Sequence, residues 1–151
     1  LKILVVIDGK PASGSALRAA SLLAERLKAE LGVITVRSGT HATEDPPPVG
    51  VDVPARDRQH LPEGLQLLLG AAELLAETGL LAPLAVIKLT DLPHGHVFFA
   101  ERAGGGRMPF AESFGNLIDT LNHEIAEKQY DLVVIAAPRR GPLGRFAPLN
   151  L

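Results

Sequence analysis

Four short, almost unbroken apolar runs constrain this chain more than any other feature. They are Leu4-Val5-Val6-Ile7, Val33-Ile34-Thr35-Val36, Leu84-Ala85-Val86-Ile87 and Leu132-Val133-Val134-Ile135. A strand with one wet face alternates apolar and polar residues. A continuous run belongs to a strand covered on both faces, as in parallel sheets. Helical patterns separate the runs. The order β-α-β-α-β-α-β predicts an α/β, three-layer sandwich built on a parallel sheet.

Between the first two runs, Asp8-Gly9-Lys10-Pro11 breaks the strand and turns the chain. Ser13 or Ser15 then caps a helix expected to reach about Leu31, with Leu17, Ala20, Ala24, Leu27 and Leu31 on one face and Gly32 as its C-terminal cap. Residues 37–60 hold Pro46-Pro47-Pro48 and Pro54 and few large apolar residues, so a long mobile loop is expected. A second helix is expected over Pro62–Thr78, buried through Leu65, Leu68, Leu69, Ala72 and Leu75 and ended by Gly79. Residues 90–109 read as an irregular insertion, with one short strand at Val97–Ala100 and Gly104-Gly105-Gly106 as a link. A third helix is expected from Phe110 to about Lys128, buried through Phe114, Leu117, Ile118, Leu121 and Ile125.

The 151 residues suit a single domain spanning 1–151. The longest stretch without a charge, Thr78 to Ile87, contains Pro83 and is far too short to cross a bilayer, so no membrane role is expected. A net charge of −2 argues against a nucleic-acid partner held by bulk charge. With no Cys, disulfides, thiolate metal sites and Cys nucleophiles are excluded. The N-terminus lacks a signal-peptide pattern, so a cytoplasmic location is the expectation.

Two places carry candidate chemistry. Asp8 and Gly9 stand at the tip of the first strand, where ligands of open α/β sheets bind. The Asp8 carboxylate is suited to a ribose hydroxyl or an adenine amine, and equally to tying down its own turn. After the fourth run, Ala136 to Arg145 carries Arg139, Arg140, Gly141 and Arg145, and no acid follows Leu132. Guanidinium groups match phosphate oxygens, although Pro138 and Pro142 remove two backbone donors. His94-x-His96 would put two imidazoles on one face of a strand, but two ligands without a third do not make a zinc site. No GxSxG, GxxxxGK[ST] or defined carboxylate pair appears, so no catalytic residue is named.

Lys2-Ile3-Leu4-Val5-Val6-Ile7-Asp8-Gly9, the Ala/Leu-rich helix and Ala29-Glu30-Leu31-Gly32-Val33-Ile34-Thr35-Val36 resemble the opening of universal stress protein domains. Tyr130-Asp131-Leu132-Val133-Val134-Ile135, with the arginine turn and Leu143-x-Arg145-Phe146, resembles their fourth strand and its loop. The resemblance implies an adenine nucleotide alpha-hydrolase-like fold, with the four strands here in the order 3-2-1-4. It also implies regulation or binding rather than demonstrated catalysis, with ATP or AMP as cofactor in those members that bind one, and Mg only with the nucleotide. Asp8 and Val36 occupy the positions that contact the nucleoside. The glycines of the family's G-x-x-G phosphate loop fall on Ala136 and Arg139, and neither is Gly. The family's usual last helix and strand, the latter often a dimer contact, have no counterpart before Leu151. The expected partners are a second copy of the chain, through the edge of the fourth strand, and a protein partner. The alternative is a protein-interaction module of the same fold with an unused pocket; a nucleotide hydrolase or transferase ranks last.

Overall fold

A computed structural model describes residues 1–38, 51–84 and 86–136. It shows one seven-stranded sheet. The elements run β1 (Lys2–Val6), α1 (Pro11–Leu27), β2 (Glu30–Arg37), β3 (Val51–Pro54), a 3-10 turn (Ala55–His60), α2 (Glu63–Glu77), β4 (Val86–Leu92), β5 (Gly95–Glu101), β6 (Arg107–Phe114), α3 (Leu117–Lys128) and β7 (Leu132–Ile135). The strand order is β3-β4-β5-β6-β2-β1-β7. β6, β2, β1 and β7 are parallel to one another. β3, β4 and β5 extend the sheet as antiparallel strands beyond β6.

Alternation of side chains across the sheet creates two cores. On one face Ile3, Val5, Ile7, Leu31 and Val33 pack with Leu17, Ala20 and Ala24 of α1 and with Leu65, Leu68, Ala72 and Leu75 of α2. Phe98 and Phe110 join them, their rings stacked with centroids 5.1 Å apart. On the other face Leu4, Val6, Ile34, Val97 and Ala111 pack with Leu121 of α3. These are the three layers that the apolar runs predict.

The order 3-2-1-4 needs correcting. Four parallel strands are present, but the one beside β2 is β6, not the run at 84–87. Val86–Leu92 alternates exposed and buried residues, with Ile87 and Leu89 inside, and it pairs antiparallel with β5. Its apolar start hides a strand with one open face. Phe110–Phe114 is strand rather than helix, and α3 begins only at Leu117, where the Asn116 side chain accepts from the N–H groups of Ile118 and Asp119. Leu121 alone of the expected stripe is fully buried; Leu117 and Ile118 are exposed. The expected insertion at 90–109 is part of the sheet, and Gly104–Gly106 lies in the β5–β6 turn. Within the expected loop at 37–60 lie β3 and the 3-10 turn.

α1 also stops earlier than its pattern suggests. Lys28 adopts a left-handed conformation, and the chain enters β2 at Glu30. Gly32 is therefore no helix cap. Its missing side chain leaves room for the Tyr130 hydroxyl, which lies where a Cβ would be. Burial pushes the Tyr130 phenol up to about 12, helped by the carboxylates of Glu124 and Glu30.

Tyr130 is the chain's one tyrosine, so tyrosinate absorbance reads it alone. The folded protein holds this proton more tightly than the unfolded chain does. The resulting stability is full below the ordinary value of 10.0 and is lost as pH rises towards about 12. The absorbance midpoint is expected near 12 while circular dichroism still reports a folded chain. A midpoint at the ordinary value in the folded state would contradict this packing.

Candidate functional site

The parallel ladder decides what meets at the carboxyl end of the sheet. Val6 pairs with Ile34 on one side and with Ile135 on the other. Ile7 N–H donates to the Ile34 carbonyl at 2.9 Å, carrying the pairing one step further. Asp8 follows two residues after Val6, Val36 two after Ile34, and Ala136 one after Ile135. Asp8, Val36 and Ala136 are therefore brought to the same end of three adjacent strands. The helices agree with this geometry. The β1–α1–β2 crossover lies on one face and the β6–α3–β7 crossover on the other, so the winding reverses between β1 and β7. That reversal opens the crevice in which α/β sheets receive ligands. Arg139, Arg140 and Gly141 lie outside the described residues, as does His41.

Asp8 sits in a tight turn. Gly9 follows with φ +84°, a left-handed conformation that favours glycine. Asp8 N–H donates to Ser13 Oγ at 3.0 Å. The Ser13 hydroxyl donates to Asp8 Oδ1 at 2.5 Å, and Lys10 N–H reaches the same oxygen at 3.0 Å. Oδ2 lies 4.0 Å from Lys10 Nζ. The Ser13 hydrogen bond, with lesser help from the Lys10 N–H and ammonium, holds the Asp8 carboxyl below its ordinary 3.8 against the opposing cost of burial. One carboxylate oxygen thus ties the turn, as a turn residue would. The side chain is still 50% exposed, which leaves Oδ2 open to solvent beside Lys10.

Next to this turn a cavity of about 320 Å³ lies between α1 and α2. Ile7, Leu17, Leu67 and Leu74 give it apolar walls, and Lys10 and Gln66 stand among its polar lining. Its size and polarity suit a flat apolar group with polar edges.

The two histidines singled out by spacing do not come together. His94 is exposed in the β4–β5 turn, while His96 is 2% exposed. Among the described residues no group of three His, Asp or Glu side chains could hold a metal ion. Instead His96 meets Glu112, which is 0% exposed, with Nδ1 3.0 Å from Oε1. Sequence reading missed this pair because it put Glu112 in a helix. Read as strand, 107–114 places Glu112 in line with Met108 and Phe110, on the buried face.

The family model described as "Universal stress protein family" matches residues 1–148. The chain belongs to the universal stress protein family. A universal stress protein family member from Burkholderia pseudomallei is 20% identical, with TM-score 0.51, covering 90% of this chain and 80% of that one. A universal stress protein solved in complex with cAMP is 17% identical, with TM-score 0.51, covering 88% of this chain and 73% of its own. At these identities the two structures support the fold. No curated protein matches the chain.

Ser13→Ala tests the turn. It removes the hydroxyl that both donates to Asp8 and accepts from its N–H, at an expected cost of about 1 kcal/mol near neutral pH. Because the Asp8 carboxyl is lowered in the folded state, its contribution is present above 3.8 and is lost as pH falls through the lowered value. Urea denaturation should show the gap between the two proteins narrowing in acid. A constant gap would mean that the carboxylate does not lean on Ser13.

Proposed function

We propose that this universal stress protein is a regulatory binding protein of the cytoplasm that takes an adenine nucleotide weakly at the carboxyl ends of β1, β2 and β7. The observation that carries the reading is the register that brings Asp8, Val36 and Ala136 to one crevice at the reversal of winding. In this reading the open Oδ2 of Asp8 accepts from the ribose or the adenine amine. Gly9 lets the backbone come close, and Val36 supplies an apolar contact for the base. Arg139, Arg140 and Gly141 follow Ala136 closely in the chain, and guanidinium groups of this kind match phosphate oxygens, with Mg entering only on the nucleotide. The solved relative with bound cAMP shows that a protein of this fold can hold an adenine nucleotide. Affinity is modest because Ala136 and Arg139 stand where a phosphate loop would have glycines, and a Cβ keeps the backbone from approaching the anion.

A second reading, a protein-interaction module with an unused pocket, draws support from Asp8 Oδ1, which the turn already engages twice. Melting with and without ATP and Mg separates the two. A site of ~10 μM affinity adds ~2.7 kcal/mol at ~1 mM ligand. For a domain of this size that is a rise of several degrees. The rise should vanish in Asp8→Ala. No rise in the wild type would favour the interaction module, and phosphate release over time would instead mark a hydrolase.

Self-association through β7 is part of the same proposal. β7 is the last strand of the sheet among the described residues, with Leu132 40% and Ile135 52% exposed. Unpaired apolar edges of this kind favour pairing with another strand. Light scattering is expected to show a dimer in the wild type and a monomer in Ile135→Lys. A monomeric wild type would remove this part of the proposal.

A further inference from the structure

The cavity between α1 and α2 is built differently from the strand tips beside it. Each helix lines it along a single face. Gly14 and Leu17 follow Lys10 at helical spacing on α1, and Gly70 and Leu74 follow Gln66 in the same way on α2. Both helices start at the carboxyl end of the sheet. α1 follows the Asp8 turn, and Gly64 in the first turn of α2 lies against Glu112 near the end of β6. Lys10 and Gln66 therefore mark the same end of the groove, and Leu17 and Leu74 its far end. One end is polar and the other apolar.

Two glycines account for the space. Glycine weakens a helix interior, so its presence there calls for a reason. At Gly64 the missing side chain makes room for Glu112. At Gly14 and Gly70 a Cβ would meet no described packing neighbour within 4 Å. No such contact uses the room they leave. Both helices instead present bare backbone to a cavity of about 320 Å³, and a flat ring can lie close against main chain of this kind.

The charge of the groove is one-sided as well. Lys10 carries the only charge among the described lining residues. Its side chain is 69% exposed, and its ammonium lies 4.0 Å from Asp8 Oδ2, which stands outside the lining. That distance is too long for a hydrogen bond, so the ammonium has donors to offer a second anion. The first turn of α1, which begins at this point, holds no acidic residue. A single ammonium matches a singly charged group.

We propose that this groove is a second ligand site, for a small aromatic carboxylate: the ring lies along Gly14 and Gly70 between Leu17 and Leu74, and the carboxylate meets the Lys10 ammonium. Asp8, Val36 and Ala136 lie outside its lining, so the site does not depend on nucleotide binding at the strand tips.

Amide NMR of the unmodified protein titrated with naphthoate tests this. Saturable shifts are expected at Gly14, Leu17, Gly70 and Leu74, with little change at Val36 and Ala136. Naphthalenemethanol keeps the rings and lacks the charge; it should bind several-fold more weakly, and Lys10→Met should remove that difference. Gly70→Leu should fill the groove and abolish the shifts at Gly14 and Leu17 while raising the melting temperature, because leucine is the better helix former. Shifts centred on Val36 and Ala136 would overturn the proposal. So would a lack of saturation in the millimolar range, equal affinity for the two probes, or undiminished binding in Gly70→Leu. The wild-type titrations decide the matter even if a variant does not fold.

Discussion

The ladder β6-β2-β1-β7 is the constraint from which the rest of the molecule follows. β1 is covered on both faces and hydrogen-bonded on both edges, so Ile3, Leu4 and Val5 all stay dry. A strand in that position has little choice of register, because a slip of one residue would exchange its two buried faces. Fixing β1 fixes the end of the sheet to which Asp8 is delivered. It also fixes the strand tips that stand beside it.

Against this apolar frame, polar groups near the carboxyl end are held by close partners. The Asp8 carboxylate is stabilised by a hydroxyl, a backbone N–H and a nearby ammonium. Glu112 is sealed from water and faces a ring nitrogen and the start of a helix. The first group keeps an oxygen open to solvent; the second does not. That contrast suits the Asp8 turn to the proposed ligand and makes the His96–Glu112 pair a part of the framework.

The sequence was most legible where apolar pattern and burial coincide. The runs at Leu4–Ile7, Val33–Val36 and Leu132–Ile135 are the three neighbouring parallel strands, and α2 buries the leucines its spacing marked. It was misleading where one pattern fits two structures. Phe110, Phe114 and Leu117 fit a helical stripe, yet Phe110 stacks on Phe98 from a strand. Gly32 has the look of a helix cap, but it is a strand residue that makes room for Tyr130, a contact nearly a hundred residues away and invisible to local reading. At the candidate site, Asp8, Gly9 and Ala136 could be placed at strand tips from the runs alone, whereas Val36 entered through the family resemblance. The His96–Glu112 pair was not, because it depends on the register of strands read as insertion and helix.

The proposed ligand crevice lies where β1, β2 and β7 end together, with Asp8 as its polar anchor. Amide NMR mapped during titration with ATP and Mg tests that claim most directly. Shifts are expected to concentrate at Asp8, Gly9, Val36 and Ala136, with little change in β4 and β5. Shifts centred on another part of the sheet, or none at saturating nucleotide, would contradict it.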